Sequence, residues 1–185
     1  MILKLTLPIP PSVNSYLNYS VKRSGHKFYV HSYESSDTIK YKNNIYNILF
    51  KEISTQSWVK PDDNKFVIVE QTLYLPHKRI DSNNLWKLPL DVFQGIIYNN
   101  DNKVIERTMN IFIDKNNPRV EYNIYVMSKM GIFTEDEYNN FVNNVCIKCK
   151  KYYYKKGCNV LKAALNNIVN KELKYDSCAN FKKID

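Results

Sequence analysis

Asp81-Ser82-Asn83-Asn84-Leu85-Trp86-Lys87-Leu88-Pro89-Leu90-Asp91-Val92-Phe93-Gln94-Gly95-Ile96-Ile97-Tyr98-Asn99-Asn100-Asp101-Asn102-Lys103-Val104 is the stretch on which the reading of this chain turns. It sets two carboxylates and a lysine on an amphipathic segment, follows them with a Gly turn, and puts a third carboxylate just before a strand-like run. Residues 84 to 97 have the apolar content of a helix. Pro89 cannot sit in a helix interior without removing a hydrogen bond, at a cost of about 3 kcal/mol, so the helix either begins near Pro89 or kinks there.

Upstream, Phe66 to Leu75 is β-branched and aromatic enough for a strand buried on at least one face. Tyr41, Ile45, Ile48, Leu49 and Ile53 recur at helical spacing, which predicts an amphipathic helix over about residues 36 to 54. Leu3, Leu5 and Leu7 alternate with Lys4 and Thr6 as a first strand, stopped where Pro8 and Pro10-Pro11 remove backbone donors. Ser12 to His31 reads as a polar, basic loop with interleaved aromatics, Tyr16 and Arg23 among them. Downstream, Val104 to Ile113 and Arg119 to Met127 read as strands joined by the turn residues Asp114 to Pro118. The order β-α-β-α-β-β thus covers residues 1 to about 130 as one α/β domain.

After Gly131 the composition changes. Thr134-Glu135-Asp136-Glu137 is a capping box, and apolar residues follow at helical spacing from Tyr138 to Tyr153, then again from Leu161 to Leu173. Residues 131 to 185 are therefore expected to be a helical extension built as a hairpin over 132 to 175. Its tract Lys148, Lys150, Lys151, Tyr152, Tyr153, Tyr154, Lys155 and Lys156 could follow a nucleic-acid backbone or be a solvated face.

Phosphodiester cleavage needs an acidified water and stabilised negative charge, and Mg²⁺ held by one or two carboxylates supplies both. Asp81 and Asp101 are the candidate pair: one follows a strand, the other precedes the next, and neighbouring strand ends could bring them together. Lys87, about one and a half turns after Asp81, could reach a phosphate as a point charge. His77, Lys78 and Arg79 abut the acidic motif and could contact flanking phosphates, with Tyr16 and Arg23 in a similar role. The plain alternatives are that Asp81 caps a helix, Lys87 is solvated, and Asn100-Asp101-Asn102 is an ordinary turn.

The spacing resembles that of the RusA family of Holliday junction resolvases, whose signature runs Asp-x-Asp-Asn-Leu-x-Lys, then Asp, Gly-Ile and Asp-Asp. Asp81, Asn84, Leu85, Lys87, Asp91, Gly95, Ile96, Asp101 and Val104 fall on it without a gap, and Pro10 to Asn14 stands where the family has a similar loop. Asn83 and Asn100 stand where the family carries Asp. The resemblance implies a compact α/β nuclease domain, Mg²⁺ or Mn²⁺ at Asp81 and Asp101, Lys87 and Asn83 in the catalytic group, four-way DNA junctions as substrate, and a homodimer. Because an amide oxygen adds no charge, a site with Asn83 and Asn100 should hold metal less tightly. The second reading is therefore an attenuated or inactive module that grips branched DNA, or binds a protein through its C-terminal extension.

Composition agrees with a DNA-binding role without requiring it. The 27 Lys plus Arg exceed 18 Asp plus Glu for a net charge of +9, which favours an acidic partner, although the richness in Asn, Lys, Ile and Tyr is also what an AT-rich genome gives. With 44% hydrophobic residues and only 7 Pro and 4 Gly, the chain should fold rather than stay disordered. No run of about 18 apolar residues is present, which excludes a transmembrane helix, and the opening segment is too short for a signal peptide. A cytoplasmic setting, in a bacterial or phage-infected cell, follows. There Cys146, Cys149, Cys158 and Cys178 are expected as thiols, since their spacing is irregular for a zinc site and Cys149 fits an apolar helix stripe.

Overall fold

The computed structural model describes residues 1–63, 65–153, 158–169, 173–174 and 176–184, with the backbone alone at Met130. The chain divides into two compact units, one of residues 1–63 and 67–126 and one of residues 64–66 and 127–185.

The first unit is built on a four-stranded mixed sheet. Its strands are β1 (Ile2–Leu7), β4 (Val67–Leu75), β5 (Val104–Ile113) and β6 (Arg119–Val126), in the order β1-β6-β4-β5. β6 runs antiparallel to both β1 and β4, whereas β4 and β5 are parallel. In β1 the Leu3, Leu5 and Leu7 side chains are buried and their neighbours exposed, as alternation on a one-sided strand requires. Val67, Ile68 and Val69 in the central strand β4 are all buried, which is what a strand covered on both faces shows.

The helix α2 (Ser36–Thr55) covers this sheet. Ser35 caps it, its hydroxyl accepting from the Thr38 N–H at 3.2 Å, and Asp37 lies in the first turn where the helix dipole favours a carboxylate. Tyr41, Ile45 and Leu49 follow one another at i, i+4 and i+8 and are buried in one cluster with the sheet leucines. A side chain such as Ile45, fully buried, contributes on the order of 1.5–3 kcal/mol by removal from water. Within this core the Tyr41 and Tyr122 hydroxyls and Gln71 Oε1 have no hydrogen-bond partner among the described residues.

The fold class expected from the sequence is the one found, an α/β domain with large elements in the order β-α-β-α-β-β. One segment differs. Ser12 to His31, expected as a loop, contains a single-turn helix α1 (Val13–Tyr16) and a hairpin of β2 (Leu17–Ser24) with β3 (Lys27–Glu34). Gly25 at φ 62° turns the chain between them, a left-handed conformation that costs glycine little. Periodicity could not announce these strands because nearly every residue in them is exposed on both faces, so no buried side alternates with a solvated one.

In the second unit, β7 (Lys129–Met130) and β8 (Phe133–Thr134) form a short pair leading into α4 (Glu135–Asn144). The capping box forms as expected: Thr134 Oγ1 accepts from the Glu137 N–H at 3.2 Å, and Glu137 Oε2 accepts from the Thr134 N–H at 2.7 Å. The long helix expected after it is broken. Val145 ends α4, Cys146–Lys148 form a 3₁₀ turn, and α5 is Lys150–Tyr153; Tyr154, Lys155 and Lys156 of the basic tract lie outside the described residues. α6 (Asn159–Leu165) stops well before Leu173, because Asn167 at φ 61° turns the chain out of the helix, and β9 (Leu173–Lys174) pairs with β10 (Ser177–Cys178). Phe133, Phe141, Cys146, Leu161 and Ala164 make the small core of this unit.

Candidate active site

The crossover from β4 to β5 carries the whole quoted stretch. Parallel pairing matches Val67 with Val104 and Leu75 with Ile113, so the end of β4 and the start of β5 lie at opposite ends of the sheet. Nine residues of strand separate them, roughly 30 Å at about 3.3 Å per residue. Neighbouring strand ends therefore do not join Asp81 to Asp101. What approaches Asp101 is the folded crossover itself.

Three local structures shape it. Asp81 caps a 3₁₀ turn at Ser82–Leu85: its Oδ1 accepts from the Asn83 N–H at 3.0 Å and its Oδ2 from the Asn84 side-chain amide at 3.2 Å. α3 (Lys87–Phe93) follows, and Pro89 falls in its first turn, where a missing N–H costs nothing. Of the two alternatives at Pro89, the helix begins there. Gly95 at φ 83° then ends the segment, its N–H donating to the Tyr98 carbonyl at 2.6 Å, while the buried Tyr98 hydroxyl donates back to the Leu90 carbonyl at 2.9 Å. A second 3₁₀ turn, Asp101–Lys103, is capped by Asn100 Oδ1 accepting from the Asn102 N–H at 3.1 Å. The capping roles weighed for Asp81 and for the 100–102 turn are thus both present, and each leaves lone pairs free for a further partner.

These turns leave a cleft of about 450 Å³ walled by Trp86 and Leu90 and lined by Asn83, Lys87, Asp91, Asp101, Asn102 and Glu106. Lys87 is the one cation in that lining among the described residues. Its Nζ donates to Asp91 Oδ1 at 2.7 Å, and Asp91 Oδ2 accepts from the Tyr16 hydroxyl at 3.1 Å. The bond to Asp91 holds the Lys87 ammonium above the ordinary lysine value; burial opposes it, and the charges of Asp91 and Asp101 add to it. Lys87 is therefore fixed in its charged form while its side chain remains 55% exposed and open to a ligand.

Glu106, two residues into β5, completes the cleft and was not singled out by the sequence. Partial desolvation raises its carboxyl above the ordinary range, Lys87 lowers it and Asp101 raises it again. The signal available was that Glu106 is the next acid after Asp101 in the sequence. A Glu106 carboxyl whose ionisation is disfavoured by burial and by the Asp101 charge, with the Lys87 ammonium beside it, is an electrostatic setting that suits a divalent cation.

The other sequence candidates fall into separate places. Tyr16 is half-buried against Asp91 and Lys42. Arg23 lies at the hairpin tip, with Nε donating to the Gly25 carbonyl at 2.8 Å and the guanidinium 5.7 Å from the Phe28 ring centroid. His77, Lys78 and Arg79 are exposed after β4, where His77 Nδ1 accepts from the Arg79 N–H at 3.3 Å. Asp81 is not in the cleft lining but reaches it through Asn83, whose backbone it holds.

Among the described residues no group of three or more His, Cys, Asp or Glu side chains is set to hold a metal ion. The acids present suit a hard cation that keeps its waters and shares the substrate's phosphates, which needs only one or two carboxylates. In the second unit the four cysteines are free thiols around one small apolar hollow. Burial, with the three other thiols adding, pushes Cys146 up to about 12. Burial also acts to raise Cys149, but backbone N–H groups of Lys182, Lys151 and Tyr152 outweigh it and hold that thiol below its ordinary value. No helix among the described residues is long and apolar enough to cross a membrane.

Comparison with protein families matches residues 8–125 to the family described as Endodeoxyribonuclease RusA, a span that contains the cleft and all its lining residues. Comparison with curated proteins finds no match.

Proposed function

Because the chain belongs to the RusA endodeoxyribonuclease family, we propose that it is a divalent-metal-dependent endonuclease that nicks four-way DNA junctions at the cleft around Asp101 and Lys87. The observation that carries this reading is the gathering in one cleft of Lys87 and Asp101 from the crossover and Glu106 from β5, with Asn83 beside them. Asp101 and Glu106 would hold the cation, Mg²⁺ or Mn²⁺, with the Asn83 amide oxygen as a neutral donor and Asp81 either ligating directly or fixing Asn83. Bound there, the cation supplies an acidified water and neutralises charge on the phosphate.

The chain's own part is positional and electrostatic. Lys87 donates to a phosphate oxygen as charge builds on it; Asp91, itself held by Tyr16, keeps the ammonium charged and aimed. His77, Lys78 and Arg79 contact phosphates beside the scissile one, an interaction that weakens with salt. A homodimer would present two such clefts to a symmetric junction, one for each cut. The protein then works where chromosomal or phage DNA is, in the cytoplasm, and the second unit is available to a protein partner.

The test is cleavage of an end-labelled synthetic four-way junction in Mg²⁺ and in Mn²⁺. Nicking that Asp101→Asn lowers by about 100-fold or more supports the proposal, and Asn83→Asp should raise it by restoring a ligand charge. No nicking above the Asp101→Asn background with either metal refutes it. A second reading is favoured by Asn83 and Asn100, which stand where the family pattern has Asp: a module that binds junctions with little turnover. It predicts junction binding without nicks, and no gain from Asn83→Asp.

A further inference from the structure

The hairpin β2–β3 is a part of the first unit to which the nuclease reading gives no more than a phosphate contact at Arg23. Its two faces differ. Cross-strand pairing puts Lys22 opposite Tyr29, Ser20 opposite His31 and Asn18 opposite Tyr33, so these share one face. The other face carries Tyr19, Val21, Arg23, Phe28 and Val30, by the same register. Both are solvent-exposed: Tyr29 is 50% and Tyr33 48% exposed on the first face, Val21 70% and Val30 68% on the second. A two-stranded ribbon without a packed face is marginally stable in water, so an arm of this kind is the form of a segment that closes on a partner.

Three observations identify the partner's chemistry. Between Leu17 and Tyr33 the sequence has Lys22, Arg23, His26, Lys27 and His31 and no acidic residue. On the Lys22 face the His31 and Tyr33 rings lie stacked with centroids 6.2 Å apart and planes 24° apart, with Tyr29 two residues before His31 on the same strand face. Finally, the arm is rooted at the cleft: Tyr16, which donates to Asp91, immediately precedes β2, and its carbonyl accepts from the Ser35 N–H at 3.0 Å at the far end of β3. Eight residues per strand give a reach of roughly 26 Å from that root.

We propose that this hairpin is a DNA-gripping arm whose Lys22, Tyr29, His31 and Tyr33 face stacks on bases left open at the branch point while its lysines meet the backbone. The inference rests on the reading of branched DNA as substrate. Flat aromatic rings accept any base, and a strand at a branch point exposes base faces that an intact duplex hides. Positive charge without acids supplies the electrostatic half of the contact.

The experiment is fluorescence anisotropy of a fluorescein-labelled four-way junction, and of a duplex of the same length, in Ca²⁺ at several salt concentrations. Three variants are compared with the unaltered chain, each first shown by far-ultraviolet circular dichroism and urea midpoint to fold as it does. Tyr29→Ser with Tyr33→Ser should weaken junction binding about tenfold or more, leave duplex binding within twofold, and keep the salt slope. Lys22→Gln with Lys27→Gln should weaken both and lower the salt slope by about two. Val21→Thr with Val30→Thr, on the opposite face, should bind as the unaltered chain does. If the unaltered chain prefers the junction and the tyrosine variant binds it equally well, the arm is overturned and the nuclease reading stands. If the valine variant alone loses binding, and sedimentation shows it has also lost self-association, the hairpin is an interface between copies and the proposal is wrong. If the unaltered chain shows no preference for the junction, the substrate reading fails and takes the arm with it.

Discussion

The clearest quantitative handle on the site is the chain of contacts from Tyr16 through Asp91 to Lys87, which predicts a measurable coupling. Asp91→Ala removes two interactions at once. The Lys87 pair spans i,i+4 on α3 and the lysine side chain is 55% exposed, so its loss costs only about 0.3–0.5 kcal/mol. The Tyr16 bond is to a charged acceptor and half-buried at 3.1 Å; hydrogen bonds to charged groups contribute about 1.5–3 kcal/mol, and partial exposure brings this one to about 1 kcal/mol. Asp91→Ala should therefore destabilise by about 1.5 kcal/mol and Tyr16→Phe by about 1 kcal/mol. Because both remove the same bond, the double variant should fall short of their sum by about 1 kcal/mol. Urea unfolding of the four proteins measures this, the Asp91→Ala midpoint moving down by roughly 0.5–1 M for an ordinary m value. Junction cleavage by Asp91→Ala should drop about tenfold as Lys87 loses its orientation. If the double variant equals the sum of the singles within about 0.3 kcal/mol, Tyr16 and Asp91 are not coupled and the positioning argument for Lys87 loses its basis.

Other outcomes follow from single features. Burial holds the Glu106 carboxyl above its ordinary value, so the folded state keeps a proton that the unfolded state has released. Stability should thus fall as pH rises from about 4.3 through the raised value, and the decline should flatten in Glu106→Gln, as thermal unfolding against pH would show. Tyr122→Phe removes a buried hydroxyl that has no partner among the described residues, so urea unfolding should show unchanged or higher stability, by up to about 1 kcal/mol. At Gly131, φ 67°, an added Cβ would stand 2.0 Å from the Ala164 carbonyl oxygen, so Gly131→Ala should destabilise the second unit by about 2–4 kcal/mol. Limited proteolysis should then cut that unit faster while residues 1–126 keep their protection.

The parts of the fold that announced themselves in the sequence are those with one buried face. Leu3, Leu5 and Leu7 alternate because solvent lies on one side of β1, and Tyr41, Ile45 and Leu49 repeat because α2 packs on one side. The hairpin and the second unit were less legible for opposite reasons: the first buries almost nothing, and the second is a small core assembled from short pieces, where helical spacing runs on past the turns at Val145 and Asn167 that end α4 and α6. In the candidate site, the spacing from Asp81 to Val104 marked the right crossover. It could not say that parallel pairing separates the strand ends, that Asp81 accepts from Asn83 and Asn84, or that Glu106 enters from β5. Those facts depend on how the chain returns, and return paths leave no periodic trace.

Glu106 sits on β5 and Asp101 in the turn that feeds it, and β5 is an edge strand of its sheet, paired among the described residues with β4. Outer strands peel away at lower free energy than inner ones. Peeling β5 would carry off both acids together and leave Lys87 behind on α3, so heat should silence the protein several degrees before its core melts, and cooling should restore it. Whatever clamps that border of the sheet would act as a thermostat for the chemistry without touching a single reacting atom.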